Sequence, residues 1–144
     1  MATKVTYKPS HQVVIKATQD AAEAIGMKFG AFVMTTARRS IRKPNKAGDP
    51  SPEGQPPRAQ TKTLKSSIIF AYDSTQRAVY IGPRILPGRI GKDAPEALEK
   101  GGTSTAMTKR GRRRQRVAKR PFMVPALEKR LPELPLLWRN AIHK

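Results

Sequence analysis

The 144-residue sequence has no cysteine and only two histidines, His11 and His143, which lie near opposite ends of the chain. The absence of cysteine excludes a disulfide framework and a thiolate metal site, and two distant histidines argue against an imidazole metal cluster. Aromatic residues make up 6% of the sequence and hydrophobic residues 38%. This lean composition predicts a single domain over residues 1–144, with a small core and long exposed segments.

Long apolar runs are also missing. No stretch approaches the roughly 18 apolar residues that a bilayer-spanning helix needs. The first residues (MATKVTYKPS) lack the apolar segment of a secretory signal. We therefore expect an intracellular protein without a membrane partner.

Acidic residues are few and scattered. Only 10 Asp and Glu occur, and they form no cluster of the kind that a metal nuclease requires. Asp93, Glu96 and Glu99 fit helix capping and solvation better than acid–base chemistry. The glycines are not spaced as a phosphate-cradling loop before a helix. We predict no catalytic residue, no cofactor and no metal site, and therefore a protein that is not an enzyme.

Positive charge dominates the composition. The sequence contains 29 Lys and Arg, which gives a formal net charge of +19 and a pI near 11.2. Such a field attracts polyanions or strongly acidic protein surfaces, and it does not specify a fold. Nucleic acid is the default partner class, as it is for ribosomal and nucleoid proteins.

A long helix is predicted between Ser10, a candidate N-cap, and Pro44, which ends it. Its second half is apolar on two faces, because Met27, Gly30 and Met34 lie opposite the main apolar face. A helix of this kind needs cover on both sides. We assign those three residues to a subunit interface in preference to burial within the chain. The main apolar face recurs every three or four residues and comprises Val14, Thr18, Ala21, Ile25, Phe29, Phe32 and Thr36.

The middle of the chain combines a loop with a hairpin. Residues 44–60, here the proline-rich loop, contain five prolines and two glycines and predict a long flexible connection. A turn of helix around Leu64 follows. Residues 67–72 and 77–82 predict two antiparallel strands joined by a polar turn. A further short strand is predicted at residues 3–7.

Two segments near the C-terminus have distinctive patterns. The Ala-Pro segment (94–103) predicts a short helix with Asp93 as N-cap and an end at Gly101 or Gly102. The Arg-Pro-Phe segment (120–128) predicts an extended approach and a helix that starts at or just after its second proline. Further prolines split the following sequence into two short helices, whose apolar stripe comprises Leu127, Leu131, Leu134 and Trp138.

A strongly basic stretch separates these two segments. Eight of the twelve residues from 109 to 120 are Lys or Arg, and none is acidic. Mutual repulsion predicts that residues 104–119 form a flexible extended arm unless an anionic partner orders it. No aromatic residue is interleaved, which argues against stacking of single-stranded bases. The candidate contacts to DNA or to an acidic partner are Lys109, Arg110, Arg112, Arg113, Arg114, Arg116 and Lys119.

Read together, these segments resemble the tail-completion or neck proteins of lambdoid siphophages. The typical motifs of that family, in chain order, are a Gly-Glu-Pro-Pro loop, a Thr-Gly-x-Leu-x-x-Ser-Ile segment followed by strands, an Ala-Pro-x-x-x-Glu-x-Gly-Thr helix and an Arg-Pro-Phe-x-x-Pro-Ala-Leu segment. The counterparts here are residues 53–57, 61–68, 94–103 and 120–127, in the same order. Two positions depart from the pattern: Lys62 replaces a glycine, and an additional glycine precedes Thr103.

The resemblance implies an α+β fold in which a long N-terminal helix packs on a small antiparallel sheet, with short C-terminal helices and long basic or proline-rich loops. It also implies a virion protein without enzymatic activity that assembles in the host cytoplasm. Its copies would form a ring, expected to be hexameric, between the head connector or stopper and the tail terminator or tail tube. Such a ring completes the head–tail joint and the conduit for DNA ejection.

Two questions stay open at the level of sequence. The basic arm could contact double-stranded DNA without sequence preference, embrace an acidic surface of a neighbouring ring protein, or remain solvated. The alternative function is a stand-alone nucleic-acid-binding protein of the ribosomal or nucleoid type, which explains the charge equally well.

Overall fold

The computed structural model describes residues 11–44, 46, 49–59, 62–84, 93–108 and 111–141. The strand predicted at residues 3–7 and the N-cap predicted at Ser10 lie outside these residues. In chain order the elements are α1 (His11–Ser40), α2 (Thr63–Ser67), β1 (Ile68–Asp73), β2 (Ala78–Pro83), α3 (Ala94–Lys100), β3 (Gly102–Thr108), β4 (Gly111–Val117), α4 (Met123–Arg130), a 3-10 turn (Leu131–Glu133) and α5 (Leu134–Ala141).

Helix α1 is the centre of the fold. It packs against the β1–β2 hairpin and against α4 and α5, so the fold is α+β as expected. The core lies along its C-terminal half and continues beyond the helix end into Ile41, which is fully buried. The buried cluster consists of Phe29, Val33, Ala37, Ile41, Leu64, Ile68, Phe122 and Ala126.

The second face of α1 is covered by the chain itself. A Cβ atom built on Gly30 would lie 2.9 Å from a Phe70 ring carbon and 3.0 Å from a Val79 methyl carbon. Only a glycine allows this approach of helix to hairpin. Met34 also packs against the core of the same chain. The assignment of Gly30 to a subunit interface is therefore wrong, whereas Met34, which is partly buried, and Met27, which is 42% exposed, stay predictions.

Strands β1 and β2 form the predicted antiparallel hairpin, with Ile68 opposite Pro83 and Asp73 opposite Ala78. The Asp73 carboxylate accepts hydrogen bonds from the backbone N–H groups of Thr75 and Gln76, at 2.8 and 3.1 Å. These bonds satisfy two backbone N–H groups of the turn that joins the strands.

The prediction of an extended arm without structure at residues 104–119 is wrong for its described part. Strands β3 and β4 form a second antiparallel ribbon, with Gly102 opposite Val117 and Thr108 opposite Gly111. Each arginine of β4 lies opposite an uncharged residue of β3, so pairing places no cation directly across from another. The ribbon therefore forms although its second strand is strongly basic.

The C-terminal helices depart from the predicted boundaries and stripe. Helix α4 begins at Met123, before the proline expected to open it, and a 3-10 turn joins it to α5. Leu127, Leu131 and Trp138 are exposed. Leu134 of the predicted stripe packs against the core as expected, together with Met123 and Leu137, and Ala126 is buried in it.

Candidate polyanion-binding surfaces

A single carboxylate joins the Ala-Pro segment to the Arg-Pro-Phe segment. Glu99 on α3 accepts hydrogen bonds from the backbone N–H groups of Phe122, Met123 and Val124, at 2.9, 3.1 and 2.9 Å. The first N–H groups of a helix have no partner within it and carry partial positive charge. Glu99 therefore caps α4 from a different helix. The residue that precedes the helix, Phe122, has no capping side chain of its own.

Helix α3 is arranged to present this carboxylate. Pro95 lies in its first turn, as predicted, and Gly101 ends it with φ +79°. A Cβ at Gly101 would lie 3.4 Å from the backbone nitrogen of Lys119. Glycine therefore also lets the backbone just before the Arg-Pro-Phe segment pass close to the end of α3. Asp93 makes no side-chain capping bond, which corrects its predicted role. Its backbone carbonyl instead accepts the N–H of Ala97, at 2.8 Å.

Arg120 fixes the proline-rich loop to the same junction. Its backbone N–H donates to the carbonyl of Leu98 at 2.6 Å, and its Nε donates to the carbonyl of Ser51 at 2.8 Å. The N–H of Gly54 donates to the carbonyl of Lys119 at 2.8 Å. Within its described residues the loop has no helix or strand, as predicted, and its 49–59 part is bonded to the junction through Ser51 and Gly54.

The basic ribbon, strands β3 and β4, carries the first candidate binding surface. Because side chains alternate along a strand, Arg112, Arg114 and Arg116 share one face and Arg113 lies on the other. All four are exposed. Within the described residues they make no side-chain hydrogen bond or ion pair. Lys119 is exposed beyond the end of β4. Of the remaining predicted contacts, Lys109 and Arg110 lie outside the described residues.

A second basic surface lies at the C-terminal end of α1, and our sequence analysis did not identify it. It consists of two clefts that share Arg39. The α1–α4 cleft has a volume of about 530 Å³ and is lined by the cations Arg39, Arg42, Arg58, Lys129 and Arg130. The α1–α2 cleft has a volume of about 540 Å³ and is lined by Arg38, Arg39, Lys43, Lys62 and Lys65. These residues are scattered along the sequence, so only the cations at the end of α1 gave a local signal.

Some cations of the α1–α4 cleft already have partners. Arg58 pairs with Asp49. Arg130 pairs with Glu133 at 2.6 Å, donates to Thr36 at 2.7 Å and lies over the ring of Phe32. The remaining three, Arg39, Arg42 and Lys129, are exposed and make no side-chain hydrogen bond or ion pair in the described part of the chain.

Several acidic groups of the described residues take structural positions. Glu99 caps a helix, Asp73 holds a turn and Glu96 pairs with Lys100 at 2.9 Å. The bond and the charge of Lys100 lower the pKa of Glu96, although the pair is fully exposed. No three His, Asp or Glu side chains gather in a metal-binding arrangement within the ranges described. Among the helices of those ranges, none combines the length and apolar character needed to cross a bilayer.

Comparisons with protein-family models, with curated proteins and with solved structures gave no match for this chain.

Proposed function

We propose that this chain is a structural subunit of a bacteriophage neck, which completes the head–tail joint as a ring around the exiting DNA. The observation that carries the proposal is the Glu99 junction. The two segments most responsible for the resemblance to tail-completion proteins are bonded to each other through three backbone N–H groups. A shared structural unit gives a physical reason for both patterns to occur in one sequence.

In this proposal the basic ribbon binds an anionic partner and catalyses no reaction. Arg112, Arg114 and Arg116 present three cations on one face of a two-stranded ribbon, and no described residue pairs with them. Such a row suits the phosphates of passing DNA or an acidic surface of a neighbouring ring protein. Either contact would be sensitive to salt. A copy number of six, with the connector on one side and the tail terminator on the other, completes the proposed assembly.

Electron microscopy of lysates tests the proposal directly. A virus from which this gene is deleted should leave separate heads and tails, and supplying the wild-type gene in trans should restore joined particles. Complementation with R114Q should yield fewer infectious particles than R113Q, a matched single variant on the opposite face of the ribbon. Normally joined virions from the deletion would reject the neck role.

The alternative is a stand-alone nucleic-acid-binding protein. The two basic surfaces favour it, since polyanion binding alone would account for both. That function requires tight binding of nucleic acid by the isolated chain at physiological salt, and it predicts no defect in head–tail joining.

A further inference from the structure

The two clefts at the end of α1 collect positive charge from separate parts of the chain. The cations of the α1–α4 cleft come from α1, the segment after it, the proline-rich loop and α4. None of the described residues that line either cleft is Asp or Glu. On ordinary protein surfaces, positive and negative side chains are interspersed. A cleft lined only by cations instead focuses the electrostatic field and attracts an anion.

Compensation of the helix dipole explains only part of this charge. Cations near a helix C-terminus are favourable, and Arg38 and Arg39 lie in the last turn of α1. The effect decays within one turn. Arg58 is held by its ion pair with Asp49, and Lys129 lies in the last turn of α4, where it favours the dipole of that helix. Neither cause explains why two helix ends and the proline-rich loop bring their cations to one cleft.

Buried polar atoms in the cleft walls give a second observation. Within the described residues, two buried side-chain polar atoms have no hydrogen-bond partner: Nε of Arg38 and Oγ of Ser51. Arg38 belongs to the wall of the α1–α2 cleft, and Ser51 to that of the α1–α4 cleft. Both groups can donate a hydrogen bond, and buried donors are rarely left without an acceptor. Of the two, Ser51 belongs to the α1–α4 cleft, and no described residue accepts a hydrogen bond from its Oγ. Arg38 belongs to the other cleft, and its Nη2 donates to the carbonyl of Ile68.

We propose that the α1–α4 cleft is a binding site for the phosphodiester backbone of nucleic acid. Arg39, Arg42 and Lys129 supply charge that no carboxylate of the described residues neutralises, and arginine forks match the oxygen geometry of phosphate. Binding depends on phosphates and not on base sequence. The site is separate from the basic ribbon and does not depend on the proposed neck function, which stands or falls on particle assembly.

The salt dependence of DNA binding by the full chain tests this site. A fluorescein-labelled 20-base-pair duplex is titrated with wild type and with R39Q/R42Q/K129Q at several salt concentrations, and anisotropy gives the affinity. Loss of three phosphate contacts should flatten the slope of log K against log salt by about 2.7. The charge-keeping variant R39K/R42K should retain the wild-type slope.

The matched control removes the same charge elsewhere. Lys16, Lys28 and Arg139 are exposed and line neither cleft, so K16Q/K28Q/R139Q should leave the slope close to wild type. Equal flattening by both triple variants would mean that only net charge matters, and the proposed site would be wrong. Competition by poly-glutamate as effective as competition by unlabelled duplex would also overturn it, in favour of an acidic protein partner. Melting curves confirm that each variant is folded.

Discussion

Removal of the Glu99 carboxylate should destabilise the start of α4 and the core that Phe122 belongs to. In the variant Glu99→Ala, the N–H groups of Phe122, Met123 and Val124 lose their acceptor at the start of α4. Phe122 is 1% exposed and belongs to the core, so the helix start cannot simply turn toward solvent without moving a core side chain. The perturbation therefore reaches beyond a surface cap.

The size of the effect follows from two contributions. Loss of a helix N-cap costs about 0.5–2 kcal/mol, and loss of a negative charge at a helix N-terminus costs about 0.3–1 kcal/mol or more where the site is partly buried. Together they predict a destabilisation of about 1–3 kcal/mol for Glu99→Ala. For a chain of this size that lowers the Tm by roughly 3–10 °C. Glu99→Gln keeps one acceptor oxygen but loses the charge, and should cost about 1 kcal/mol.

Thermal and urea unfolding, followed by circular dichroism, measure both variants. Glu96→Ala is the matched control, because Glu96 lies on the same helix and its carboxylate bonds only to exposed Lys100. We expect it to melt like wild type. If Glu96→Ala and Glu99→Ala lowered the Tm equally, the Glu99 bonds would contribute nothing beyond helix charge, and the junction would not be the link between the two segments.

Three further predictions concern other contacts. Gly30→Ala forces a Cβ against the β1–β2 hairpin and should destabilise the chain by about 1–3 kcal/mol in urea unfolding; Gly82→Ala, which enters open space, should cost clearly less. Arg120→Lys loses the Nε bond to the proline-rich loop, so amide hydrogen exchange in that loop should become faster while α1 keeps its protection. Lys100→Ala removes the group that lowers the pKa of Glu96, so that pKa should rise in an NMR titration while the Tm stays unchanged.

The elements whose signal is local were predictable from sequence. The long helix, the β1–β2 hairpin and the short α3 follow from periodicity, turn chemistry and the positions of proline and glycine. The exact start of α4 was not predictable, because the cap that sets it comes from Glu99, more than twenty residues earlier. Propensity rules for proline describe the segment alone and contain no information about a remote acceptor.

The two larger errors have a common physical origin. Charge repulsion within residues 104–119 predicted an unstructured arm, but pairing with the uncharged β3 separates the arginines onto two faces. Similarly, the apolar second face near Gly30 predicted a partner subunit, whereas the hairpin of the same chain covers it. In both cases a segment judged by its own composition found its partner elsewhere in the chain. The α1–α4 cleft could not be predicted for the same reason, since its cations converge only in the folded state.

The two basic surfaces differ in how their charge is assembled. The arginines of the ribbon come from one strand, whereas the cations of the α1–α4 cleft come from several segments of the chain. The ribbon presents Arg112, Arg114 and Arg116 on one face of a single strand, so its charge is available to a partner however the rest of the chain is arranged. The charge of the α1–α4 cleft depends on the positions of the proline-rich loop and α4, both of which are bonded to the Glu99 and Arg120 junction. Loss of Glu99 should therefore weaken phosphate binding by the cleft and leave the ribbon unaffected. A DNA-binding defect of Glu99→Ala at a temperature where the variant is folded, absent from Glu96→Ala, would link the stability of the junction to the function of the cleft.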